Sequence, residues 1–190
     1  LKLSRPLTPI SIAIALTLLN IYPKLWGEES QPHHHHGRHL HGEATLQVAL
    51  VANNLLLEFH SPAINLTGFE HHPREPEQWQ ALRYVEQLLA QPEQRFLLSG
   101  SDCRLTEKQL NIPFHAEDTG TDQPPHEHEE HPDISASYHY QCPHPEKLES
   151  IDTDLFSVFP GIRKIRTSWV FPSGQGSAEW TPGDSQLEVN

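Results

Sequence analysis

Leu46, Val48 and Leu50 alternate with polar or small positions, and Leu55, Leu57 and Phe59 repeat the alternation after Asn53-Asn54. Period-two alternation broken by a turn that tolerates positive φ predicts a β-hairpin. Pro62 ends the regular pairing of the second strand, and residues 64–69 read as a further extended piece. Pro73 and Pro76 then lead into residues 77–90, where Trp79, Leu82, Val85 and Leu88/Leu89 recur every three to four positions. That spacing predicts an amphipathic helix with an acidic first turn, Pro76 near its start and Pro92 just past its end. Residues 96–99, 110–114 and 134–142 read as strands, and Leu148 with Ile151 suggests another short one. Residues 154–159 predict one or two helical turns stopped by Pro160-Gly161. Residues 162–171 and 177–180 predict a closing hairpin with its turn at residues 173–176. The fold class is α+β, mostly antiparallel strands with one main amphipathic helix.

Three stretches lack core periodicity. Lys2 and Arg5 precede an apolar run at residues 10–22, about the length of a signal-peptide core and short for a membrane span. Residues 1–27 are therefore expected to be a signal peptide, with an uncleaved anchor as the alternative. Residues 28–42 (EESQPHHHHGRHLHG) are expected to be a flexible His-rich arm. Residues 43–190 then form a single domain, with an expected disordered His/Glu-rich insert at 116–133 (AEDTGTDQPPHEHEEHPD), whose sole apolar residue is Ala116.

Composition turns this outline toward metal chemistry. The 190 residues carry a formal charge of −12 from 25 acidic and 13 basic side chains, which argues against a nucleic-acid partner and suits attraction of cations. Fifteen histidines are far more than packing or pH switching requires, and neutral imidazole is the commonest side-chain ligand for transition-metal dications.

They fall into groups. The first is residues 33–36 with His39 and His41; in an extended arm the last two point to the same side. An affinity tag is the competing reading, although such tags are usually terminal and uninterrupted. The second is His126, His128 and His131 among Glu127, Glu129 and Glu130, in a stretch where no packing role exists for them. The third is His60, Glu70, His71 and His72, at the predicted ends of ordered elements. His115 and His139 flank the insert and are further candidates, with His139 alternatively packed beside Tyr138 and Tyr140. The ligand types favour Zn2+, and the lack of Met weakens a Cu(I) reading. Ni2+ and Cu2+ remain open.

Cys103 and Cys142 read as one disulfide in an oxidising compartment. The rival is a metal site of His139, Cys142 and His144, which lacks the paired-cysteine spacing usual for zinc. No H-E-x-x-H, G-x-S-x-G, Gly-rich phosphate loop or C-x-x-C occurs, so no enzyme class is indicated. Asn65-Leu66-Thr67 matches a glycosylation acceptor, a pattern common by chance.

Several stretches together resemble a family. They are His39-Leu40-His41-Gly42-Glu43-Ala44, the run Ser61-Pro62-Ala63-Ile64-Asn65-Leu66-Thr67-Gly68-Phe69-Glu70-His71, and the late Cys142, Leu155-Phe156, Phe159-Pro160 and Ser173-Gly174-Gln175-Gly176. Over about residues 37–187 the chain resembles the ZrgA-type periplasmic zinc-uptake proteins of Gram-negative bacteria. The resemblance implies an exported, non-enzymatic protein that binds Zn2+ and helps supply a zinc importer, with no membrane attachment after signal cleavage. It lends weight to His39, His41, Glu70 and His71 as ligands in or near the folded domain. It puts His126, His128 and His131 in a variable loop and leaves His72 outside the shared stretch. The alternatives are a metal-dependent hydrolase and a general periplasmic buffer for Ni2+ or Cu2+.

Overall fold

The computed structural model describes residues 41–114 and 132–189. The expected signal peptide, His39 in the arm, and His126, His128 and His131 in the insert lie outside the described residues.

Strands β1 (Glu43–Val51) and β2 (Asn54–Pro62) form the hairpin that the alternation predicts. Leu46, Val48, Leu50, Leu55, Leu57 and Phe59 all face the core. The turn is Ala52-Asn53 and not Asn53-Asn54, because Asn54 already pairs with Val51; Ala52 takes the positive φ of 51°. Residues 64–69 are not extended. Helix α1 (Ala63–Thr67) follows β2 directly and ends at Gly68, whose φ of 85° is the left-handed value that closes a helix. So short a helix has little intrinsic stability; tertiary hydrogen bonds to Asn65, described below, hold it in place.

Helix α2 (Pro76–Leu89) is the expected amphipathic helix and buries Leu82, Val85 and Leu89. The Gln78 side-chain oxygen accepts the N–H groups of Arg74 and Glu75 at its start. At its end, Lys108 binds the Ala90 carbonyl and the Tyr138 hydroxyl donates to the Leu89 carbonyl at 2.7 Å. These contacts satisfy carbonyls that a helix terminus leaves unpaired.

A single turn α3 (Pro92–Arg95) leads into β3 (Phe96–Ser99). Strand β4 (Arg104–Asn111) begins well before the expected 110–114 stretch. It is an edge strand with mostly exposed polar positions, so alternation gives it few apolar markers. Strand β5 (Asp133–Gln141) starts at the last residue read as insert. A 3₁₀ turn (Pro145–Lys147), β6 (Ser150–Thr153), α4 (Leu155–Val158), β7 (Lys164–Phe171), β8 (Gly174–Trp180) and β9 (Gln186–Glu188) complete the order. The β7–β8 turn is shorter than expected, because Gly174, Gln175 and Gly176 pair with Phe171, Val170 and Trp169.

Two sheets result, one ordered β4-β5-β2-β1-β7-β8 and the other β3-β6-β9. All pairings are antiparallel except β1 with β7. One apolar cluster joins the inward residues of the large sheet to α2, the small sheet and α4, with Phe96 and Tyr138 in ring contact at its centre.

Register then divides the large sheet into two chemically different ends. Thr45 pairs with His60, Glu43 with Lys164, Pro62 with Asp133 and Asn111 with Ser135. The start of β1, the end of β2 and both points flanking residues 115–131 therefore share one end. At the other end Cys103 and Cys142 form the expected disulfide, so Cys142 is not a metal ligand beside His139 and His144. Next to the disulfide, the Asp102 carboxylate accepts the ring Nδ1–H and the backbone N–H of His144, and these bonds hold its pKa below the usual 3.8.

Two outcomes follow for this end. Replacing both cysteines by Ala should lower the unfolding free energy by about 3–4 kcal/mol, read as a lower urea midpoint, because the closed loop is long. Asp102 has a depressed folded pKa, so its stabilising contribution is present above pH 3.8 and is lost as pH falls through the folded value. The stability gap between wild type and Asp102→Asn should therefore be widest near neutrality and close in acid. An acid-independent gap would contradict the assignment.

Candidate metal centre

The arm joins β1 through His41-Gly42, and that junction is held on several sides. Gly42 has φ 87°, the left-handed value that favours glycine, and a Cβ built there would meet Arg163 Nε at 2.4 Å, so any larger residue would also displace the Arg163 side chain. The Gly42 N–H donates to Asn65 Oδ1 at 2.7 Å, and its carbonyl accepts the N–H groups of Arg163 and Lys164 at 2.8 and 3.0 Å. Arg163 Nη2 donates to the His41 carbonyl at 3.0 Å.

Asn65 is the inner half of this arrangement. It is buried, and its Nδ2 donates to the Glu43 carbonyl at 2.9 Å and to Ser61 Oγ at 3.2 Å. Gly161 lies against its backbone, where a Cβ would come within 2.2 Å of the Asn65 carbonyl oxygen. An amide so enclosed and so fully hydrogen-bonded is not accessible to a glycosyl donor in the folded state, so the acceptor pattern at Asn65 has a structural origin.

The other end of α1 sets Glu70. The Thr67 hydroxyl shares its proton between the Ala63 and Phe69 carbonyls, at 2.9 and 2.8 Å, and accepts the Phe69 N–H at 3.2 Å. Gly68 turns the chain, Phe69 is buried, and Glu70 emerges half-buried beside the arm. The outcome is that His41 Nε2 lies 3.4 Å from Glu70 Oε2. Two donors bound to one tetrahedral zinc at about 2.0–2.1 Å each lie about 3.3–3.4 Å apart. The pair therefore has the separation of two zinc ligands, with an imidazole nitrogen and a carboxylate oxygen as donor types.

The other sequence candidates are distributed around this pair. His71 is exposed, leans on the Phe69 ring, and places Nδ1 3.0 Å from the His72 carbonyl. A carbonyl only accepts, so this contact needs a hydrogen on Nδ1, and in the neutral ring that tautomer leaves the lone pair on Nε2. His72 also directs Nδ1 at a carbonyl, that of Pro73, at 3.1 Å. Its ring meets Trp79 and Phe114 edge-on, although the residue remains exposed. His60 is exposed on the outer face of the large sheet, paired with Thr45 and Ser135. His139 is on that same outer face, while Tyr138 and Tyr140 point inward, so it is not packed between them. Among the described residues, no three His, Cys, Asp or Glu side chains converge into a complete metal site.

Neither Asn65 nor Arg163 is among the residues that the sequence nominates for the site. Asn65 and Gly42 could have been found inside the quoted motifs, since a buried Asn and a glycine of positive φ are both position-specific. Arg163 gave no local signal: the partner it holds is 122 positions away.

No curated protein matches the chain. Residues 38–189 match the family described as ZrgA family zinc uptake protein. The matched span takes in the His41–Glu70 pair, α1 with its Asn65 hydrogen bonds, both sheets and the disulfide. The chain belongs to the ZrgA family of zinc uptake proteins.

Proposed function

We propose that this protein captures Zn2+ in the periplasm and assists its delivery to a zinc importer, without catalysing a reaction. The observation that carries the reading is the His41–Glu70 pair, held by two anchored loops at the separation of zinc donors. His39 is two positions before His41, and His71 follows Glu70. The His41–Glu70 pair is the proposed core of the tight site, and His39 and His71 are proposed to complete it on metal binding. His60 and His72 are candidate neighbours of it.

The flanking His-rich segments add supply. The start of β1 and the described positions that flank residues 115–131 lie at the sheet end that carries the pair. Weak ligands on tethers raise the local metal concentration beside a tighter site. The charge of −12 favours the approach of a dication. The His41 side chain is 57% exposed, which suits a cargo that must leave again; a hydrolytic zinc would need a shaped pocket that excludes water.

The disulfide supports an oxidising compartment, and no helix among the described residues is long and apolar enough to cross a membrane.

Calorimetric zinc titration of His41→Ala and Glu70→Gln tests the site. Each should weaken the tightest binding by about 100-fold or more, since even outer-shell partners of metal ligands are worth about 10–100-fold. Wild-type affinity should also fall between about pH 7.5 and 5.5, because protonated imidazole cannot coordinate. Unchanged affinity in both variants, or across that pH range, would remove the pair from the account.

A further inference from the structure

We infer that Arg163 is a positioning residue for zinc capture, its guanidinium locking the His41-Gly42 backbone so that the His41 imidazole is presented to Glu70. The inference rests on the His41–Glu70 reading above and adds what sets that pair up.

The geometry is specific. His41 is the last residue of a His-rich stretch before β1. Order is imposed from the α4–β7 loop: Arg163 Nη2 donates to the His41 carbonyl at 3.0 Å, and the Arg163 N–H donates to the Gly42 carbonyl at 2.8 Å. The guanidinium also covers Gly42 closely, as a Cβ there would meet Nε at 2.4 Å, Nη2 at 2.8 Å and Cζ at 3.0 Å. Asn65 closes the junction from the buried side through Oδ1. A planar, always-charged fork suits this task better than a flexible ammonium, because one face covers the glycine while an edge donates to the carbonyl.

Electrostatics makes the role decidable. A guanidinium never loses its charge, so Arg163 is a permanent cation beside a site for a dication. Coulomb repulsion alone makes it unfavourable to zinc binding. Lys164 and Arg166 on the following strand share the Glu43 carboxylate, and Lys164 also pairs with Glu179 at 3.1 Å, so these cations are locally compensated. If Arg163 acted only as charge, its removal would tighten zinc binding. If it acts by holding His41, its removal weakens binding, because the imidazole must then be ordered by the metal itself. The two roles predict opposite signs.

The test uses the whole chain and zinc alone, with affinity read by competition against a chromophoric chelator. Arg163→Ala should weaken binding about tenfold, the scale of lost outer-shell support, with a melting temperature close to wild type because the side chain is at the surface. Arg163→Gln ends where the Arg163 Nε lies and lacks the Nη2 donor to the His41 carbonyl, so it should weaken binding as well. In a His41→Ala background, Arg163→Ala should cost nothing further. Equal or tighter binding by both Arg163 variants, with His41→Ala still weakened, would overturn the clamp and leave the zinc site standing. A His41→Ala protein that binds zinc like wild type would remove the site itself, and the clamp with it. If Arg163→Ala folds poorly, Arg163→Gln is judged by the same criteria: weaker binding that depends on His41 supports the clamp, and unchanged or tighter binding overturns it.

Discussion

One buried amide organises the end of the large sheet that carries the His41–Glu70 pair. Asn65 accepts from Gly42 and donates to Glu43 and Ser61, so a single side chain fastens the start of β1 to the end of β2 and to α1. All three partners are at a sheet terminus, where backbone pairing runs out and polar groups need other partners. Without the Asn65 side chain, the buried Gly42 N–H would lose its acceptor, and leaving a buried donor unsatisfied costs about 1–3 kcal/mol. The close approach of Gly161 to the Asn65 backbone brings the α4–β7 loop into the same knot, and with it Arg163.

From that knot the functional arrangement follows in two directions. Toward the N-terminus it fixes His41; through α1, Thr67 and Gly68 it fixes Glu70. The two donors meet although neither is on a strand, because each is only one or two residues from an anchored backbone position. The rest of the sheet keeps this end distinct. β1 and β2 occupy the centre of the large sheet, and the disulfide with the Asp102–His144 pair closes the opposite end. The disulfide and the proposed metal pair are thus separated by the length of the strands.

Much of this was legible in the sequence where apolar periodicity was strong. The β1–β2 hairpin, α2 and β5 each bury a regular apolar set that period alone locates, whereas α4 buries only Leu155 and is marked by the Pro160-Gly161 stop. The failures have physical reasons. Strand β4 is an exposed edge with few apolar markers. Helix α1 is shorter than any periodicity can reveal and exists because Asn65 and Thr67 find tertiary partners. The Asn53-Asn54 turn was displaced because Ala52 accepts a positive φ that Asn was expected to take. At the site, motif residues pointed to His41 and Glu70, which the fold brings together. The aromatic seat of His72 and the guanidinium of Arg163 depend on contacts between distant segments and were invisible to any local pattern.

The central claim is that the folded domain, and not the 115–131 segment alone, holds the tightest zinc. The most direct measurement is zinc calorimetry on the full chain beside a chain in which residues 116–131 are replaced by a Gly/Ser stretch of equal length. The account predicts that the replaced chain keeps its tightest zinc and loses only weaker binding. Loss of the tightest binding on replacement would contradict it and make the domain a scaffold for the insert.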